Sequence, residues 1–308
     1  MGRLRVIIAV ALLLASARLA AARPDRINAG QFVLICAPSA RDEAERVANL
    51  AQPALSNIKQ ALRQRFSGTI TLRVFNQRHA FDRAIHARPE ELILGEARTP
   101  SNQIYLDASG EFGSVRRTLR HEVAHIVWGD ALGGSGRALC PIWLNEGVAK
   151  YLESTRRAGG AVSQATVSSE DTIPIGQLNQ AFRHDKTRSL AYAESESLVR
   201  FMVAQHGQRV LAKLIANLRT APSLEAALAK SISATSPQLY EAWQRHIYRP
   251  SRFTFLLESS TLIWMLMTVL LLVTVALFYR RKWQRQRLQQ ELEEIEEQLS
   301  ASEPPTIH

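Results

Sequence analysis

Residues 121–125 read His121-Glu122-Val123-Ala124-His125. On a helix, positions i and i+4 share one face, so both imidazoles point the same way. Two neutral histidine nitrogens so placed can grip one Zn²⁺, and the glutamate between them can act as general base on a zinc-bound water. The same five residues also fit a surface helix with two satisfied histidines, so the reading turns on what else the chain supplies. It supplies Trp143-Leu144-Asn145-Glu146-Gly147-Val148-Ala149, the start of a second helical pattern. Glu146 lies 21 positions after His125, enough chain to finish one helix, turn and bring a second alongside it. A carboxylate there completes three protein ligands and leaves the fourth position open, as catalytic zinc requires. Taken alone, Glu146 is an ordinary first-turn glutamate favoured by the helix dipole.

His-Glu-x-x-His followed by Asn-Glu-Gly on a second helix resembles the gluzincin zinc metallopeptidases of the MA clan, and in particular the bacterial peptidase MA-like domains. Trp-Leu-Asn-Glu-Gly-x-Ala is similar to the corresponding helix of that clan's aminopeptidases. The resemblance covers roughly residues 31–248 and is specific over 119–151. It implies His121, His125 and Glu146 as zinc ligands, Glu122 as general base, and a Tyr or His from a downstream helical half as oxyanion donor. Tyr192, in Leu190-Ala191-Tyr192-Ala193, is similar to an aromatic position recurring in peptidase MA-like domains. A packed core tyrosine is the competing reading, and His184 is a weaker alternative. The Gly-Ala-Met-Glu-Asn motif by which the clan's aminopeptidases hold a substrate N-terminus is absent, which favours an endopeptidase. Lys150 stands where some relatives carry Asp, so the surroundings of the zinc ligands must differ from theirs.

A chain of 308 residues forms one or two compact units. Its formal net charge is +10; setting aside the +3 of residues 1–22 and the −1 of residues 280–308 leaves +8 on the rest. A basic body attracts anionic lipid headgroups or acidic cell-wall polymers, unless it is an Arg-rich composition with no partner behind it. No interleaved aromatic and basic stripe points to nucleic acid. The two cysteines, Cys36 and Cys140, form no Cys-x-x-Cys motif. They fit one disulfide in an oxidising compartment or two separate buried thiols.

Residues 1–22 read as a secretory signal: Arg3 and Arg5, an apolar run from Val6 to Ala15, then Ala20-Ala21-Ala22. Three strands are expected, at Gln31–Cys36, Thr69–Phe75 and Gln103–Asp107. A helix over Arg41–Arg65 follows the first, kinked or divided at Pro53, and a short helix over Ala80–His86 follows the second. A further strand is possible at Leu92-Ile93-Leu94. In gluzincins the sheet's edge strand receives the substrate backbone, and by that resemblance Gln103–Asp107 is the candidate edge. The motif helix runs Glu111–Trp128, and Gly133-Gly134-Ser135-Gly136 ends the helical structure. A second helix spans Ile142–Arg156. The Gly/Ser/Thr/Ala-rich stretch 158–171 reads as mobile, and helices follow over 189–206, 210–218, 223–230 and 236–247.

Thr261–Tyr279 carries no charge and as a helix is about 28 Å long, close to the hydrocarbon thickness of a bilayer. Arg280-Arg281-Lys282, Arg285 and Arg287 follow at once, which puts that end in the cytoplasm. The tail repeats Leu288, Leu292, Ile295 and Leu299 at coiled-coil spacing, a basis for self-association or simply one face of a solvated helix. The expected fold is therefore α+β: a small mixed sheet packed on the zinc-binding helix, a helical subdomain, then a single transmembrane helix. Its expected divisions are 1–22 (signal), 23–158 (sheet and zinc helix), 159–250 (helical half), 260–279 (membrane span) and 280–308 (cytoplasmic tail). The expected activity is hydrolysis of peptide or protein substrates by a cell-membrane, single-pass metallopeptidase whose N-terminal domain is extracytoplasmic. The alternatives are a non-catalytic, membrane-tethered cell-envelope binding domain that keeps a structural zinc or only the fold, and a metal hydrolase acting on something other than peptides.

Overall fold

The sheet begins with a hairpin. In the computed structural model, which describes residues 23–87, 93–154, 172–247 and 260–301, strands β1 (Asp25–Ala29) and β2 (Phe32–Cys36) pair antiparallel across Gly30-Gln31. Gly30 takes φ +61°, the left-handed region that a two-residue hairpin turn demands at its first position. Strand β3 (Ile70–Phe75) lies parallel to β2. Strand β5 (Gln103–Asp107) lies parallel to β3, and β4 (Gly95–Arg98) pairs antiparallel with β5. The five-stranded sheet has the order β1-β2-β3-β5-β4.

This order corrects the expected edge. Gln103–Asp107 lies inside the sheet, between β3 and β4, and the edge is β4. The expected piece at 92–94 also differs: Leu92 lies outside the described residues, Ile93 and Leu94 are not in a strand, and pairing starts at Gly95. Gly95-Glu96-Ala97-Arg98 has no large apolar residue, so alternation could not reveal it. Strand β1 escaped for a similar reason, since in Asp25-Arg26-Ile27-Asn28-Ala29 no residue is fully buried.

One sheet face carries Phe32, Leu34, Cys36, Ile70, Leu72, Val74, Ile104 and Leu106 into the main core. Against it pack α1 (Arg41–Leu62) and α3 (Phe112–Leu139). α1 passes Pro53 without dividing; Pro53 is exposed, so water can serve the carbonyl that its missing N–H leaves free. The other face is partly covered by α2 (Arg78–Ile85), whose Phe81 and Ile85 cluster with Tyr105.

Helix α3 runs further than its glycines suggest. Only Gly133 breaks it (φ 66°, ψ −171°), and helix resumes through Leu139. The expected loop is thus a kink. Gly136 is buried, and a Cβ there would crowd Leu132 at 3.2 Å and the carbonyl carbon of Leu218 at 3.5 Å. Gly136 thus sits inside the resumed helix, packed beside α7 (Val210–Leu218), and takes no part in a chain reversal.

The remaining helices are α4 (Ile142–Ser154), α5 (Ile175–Ala181), α6 (Asp185–His206), α8 (Leu224–Ile232) and α9 (Ser236–Ile247). They share the core that the sheet begins. Helices α4 and α6 touch so closely that a Cβ at Gly147 would overlap the Ser195 carbonyl. Cys36 and Cys140 are both free thiols, which leaves the two-thiol alternative of the sequence reading. The expected signal at 1–22 and the Gly/Ser/Thr/Ala-rich stretch 158–171 lie outside the described residues.

A second unit begins after Ile247. Its helix α10 spans Ser260–Ala301, 42 residues, and contains Trp264–Arg287, long and apolar enough to cross a membrane. The described side chains of that stretch are exposed, Leu270 and Leu266 to 67% and 69%. The helix passes the expected boundary at Tyr279 without a break.

Glu194 on α6 is fully buried, and its Oε1 accepts a hydrogen bond from the Ile173 amide at 2.8 Å while Oε2 has no partner among the described residues. Burial pushes its carboxyl up to about 7, against the pull of that amide. A folded-state value above the unfolded one means stability is fully present below the unfolded value of 4.5 and declines as pH rises towards about 7. Thermal melts at about pH 4 and about pH 8, on either side of that window, should show Glu194→Gln losing less stability between the two than the wild type. Equal losses would mean that Glu194 keeps an ordinary carboxyl.

Candidate metal centre

Helix α3 carries two neighbouring faces. Leu119, Val123, Ile126 and Val127 enter the core, at most 1% exposed, and fix the helix against the sheet and α1. His121, Glu122 and His125 project beside them. Helix α4 returns alongside, with Trp143, Leu144, Val148 and Leu152 buried, and aims Glu146 at the same point.

The three donors converge. His121 Nε2 and His125 Nε2 are 3.1 Å apart. Glu146 Oε2 lies 3.4 Å from the first and 3.5 Å from the second. The imidazoles stand edge to face, with centroids 4.7 Å apart. All three residues are partly buried, and this set is the one cluster of its kind among the described residues able to hold a metal ion.

Glu122 lies against β4, within reach of the charges of His121, His125 and Glu146, and is 5% exposed. Its carboxylate accepts a hydrogen bond from the Ala97 amide. A Cβ at Gly95 would lie 2.8 Å from Glu122 Oε1 and 2.6 Å from the Thr118 methyl, so only glycine lets the edge strand approach this closely. In the antiparallel pair the Asp107 amide donates to Leu94 O at 3.0 Å, so by alternation the Gly95 and Ala97 backbone groups face away from β5. Burial raises the Glu122 carboxyl above its usual range, partly offset by His121 and His125.

Two further residues complete the charge pattern. Glu153, two turns beyond Glu146 on the same face of α4, brings Oε2 to 3.3 Å from His121 Nδ1. That nitrogen is buried and the contact is bent short of an aligned hydrogen bond. Lys150 Nζ holds the same Glu153 oxygen at 3.0 Å. Burial works against the His121 cation, but Glu146 and Glu153 outweigh it and carry the imidazole up to about 10. Burial likewise opposes the Glu146 charge, yet His125 and His121 hold that carboxyl well below its usual range. A cation entering this junction would take over the role those protons play.

Tyr192 on α6 stands edge-on to Phe182, with ring centroids 5.0 Å apart, and the Lys150 ammonium is 5.7 Å from its ring. Burial, then the charges of Glu146 and Glu122, push its hydroxyl above the usual range. His184 is exposed at the start of α6, and no described contact joins it to the three donors. Among residues absent from the sequence reading, Glu153 had a legible signal in its seven-residue spacing from Glu146. Gly95 and Ala97 had none, because their role depends on which strand forms the edge.

A family model described as Peptidase MA superfamily matches residues 50–249. A comparison with curated proteins finds no match. Because an outer carboxylate orients a ligating imidazole, Glu153→Gln should weaken divalent-metal affinity on the order of 10–100-fold, with the fold intact. Chelator competition checks this, and unchanged affinity would reduce Glu153 to a surface contact of Lys150.

Proposed function

Because the chain belongs to the Peptidase MA superfamily, we propose that it is a membrane-anchored, zinc-dependent metallopeptidase that cleaves peptide bonds as an endopeptidase on the extracytoplasmic side. The observation that carries this reading is the spacing of the donors. Ligands about 2.0–2.1 Å from a tetrahedral zinc stand roughly 3.3–3.4 Å from one another. His121, His125 and Glu146 meet at 3.1, 3.4 and 3.5 Å. Two imidazoles and one carboxylate are also a donor set of catalytic zinc sites, with room for a fourth ligand.

Zinc bound there would lower the pKa of a water and polarise the scissile carbonyl. Glu122 takes the proton from the attacking water and delivers it to the leaving amine; its raised proton affinity suits both steps. The Tyr192 hydroxyl, kept protonated, donates to the developing oxyanion. An extended peptide can add to the outer side of β4, beside Glu122, since no described strand pairs there. Such an edge admits a chain running on in both directions, which supports internal cleavage. The basic residues after Tyr279 support a cytoplasmic tail, and the signal-like N-terminus supports an exported domain.

The test uses the full-length chain in detergent, assayed for zinc content and casein cleavage beside Glu122→Gln. Both proteins should hold one equivalent of zinc, and the variant should lose on the order of 10²–10⁴-fold in kcat. Zinc in both with no cleavage by either would favour a membrane-tethered binding domain, and no zinc in the wild type would remove the metal readings. Tyr192→Phe should lower kcat on the order of 10²–10³-fold at unchanged zinc affinity; wild-type kcat would return Tyr192 to a packing role. Gly95→Ala, by displacing Glu122, should lower kcat/KM on the order of 10²-fold, which steady-state kinetics on a folded, zinc-loaded variant will measure.

A further inference from the structure

Arg120 immediately precedes the first histidine of the motif and, at 6% exposed, is buried like the site it adjoins. Its Nη2 donates to the Leu152 carbonyl at 2.7 Å and its Nε to the Glu153 carbonyl at 3.2 Å. Both carbonyls lie on α4, so the guanidinium of this α3 residue bridges the two helices. The Tyr151 carbonyl in the same turn is served differently, by Ser154 Oγ at 2.9 Å. Ser154 is in turn tied to α6 through Arg200 and Glu196.

Residue 153 is therefore held from two sides by consecutive residues of α3. Arg120 grips its backbone, and His121 meets its carboxylate at 3.3 Å. Two rigid helices joined at that end fix the distance between His121 on one and Glu146 on the other. We propose that Arg120 is a positioning residue that locks α4 onto α3 and so sets the Glu153–His121–Glu146 geometry in which the metal is bound. This rests on the zinc reading above. The fork of the guanidinium matters, because one ammonium cannot hold two carbonyls in that fixed geometry.

The test measures zinc affinity of the full-length protein by competition with a chromophoric chelator, together with thermal melts. Arg120→Met should weaken zinc at least ~10-fold, the scale of losing an outer-sphere support, and Arg120→Lys should fall between it and wild type. Arg200→Met loosens the same turn of α4 from the α6 side and should leave affinity unchanged even where it lowers the melting temperature. In Arg120→Met/Glu153→Gln the losses should not multiply, since both act through one contact. If Arg120→Met does not fold, Arg120→Lys carries the comparison. Wild-type affinity in the Arg120 variants, fully multiplicative losses in the double variant, or an affinity that merely tracks melting temperature across all variants would overturn the proposal. A wild-type protein without zinc affinity would instead overturn the reading on which it rests.

Discussion

Everything in the first unit depends on keeping two basic nitrogens and a carboxylate oxygen within 3.5 Å of one another inside a partly buried site. Left to themselves such groups would move apart or into water, because burial penalises each charge. They stay because their side chains leave helices that cannot move. α3 is wedged between the sheet and α4, and α4 is pressed on α6 at a glycine. The fold is thus a device for holding α3 and α4 at a set distance, and the sheet's contribution is to give α3 a flat apolar surface to rest on.

The elements that build this scaffold were legible in proportion to their burial. Strands β2 and β3 alternate between core and partial exposure, and that alternation shows in Phe32-Val33-Leu34 and Ile70-Thr71-Leu72. The edge strands do not bury one clean apolar face, so β1 and β4 carry no such pattern, and nothing within Gln103–Asp107 itself tells an interior strand from an edge. The glycines of 133–136 were legible as breakers but not as packing residues. Gly133 breaks the helix while Gly136 is buried within it beside α7, and only the three-dimensional neighbour tells them apart.

The candidate site divides in the same way. His121, His125 and Glu146 could be read because their i, i+4 and helix-return spacings constrain geometry before any tertiary contact is known. Lys150 marked a departure from relatives without saying what replaced them. The answer is one turn further on, in Glu153, which meets both Lys150 and His121. Arg120 carried no signal, since an arginine next to a motif reads as surface until its two carbonyl partners are found on another helix.

The unbroken helix from Ser260 to Ala301 has a mechanical consequence. At 42 residues it is a rod about 63 Å long. With no kink at Tyr279, its apolar stretch and its tail share one torsional frame. A rotation of the helix backbone at one end about its axis must be carried to the other end by the same angle. The helix thus keeps the azimuth of its apolar stretch coupled to that of the residues after it, a degree of freedom that a hinged linker would have erased.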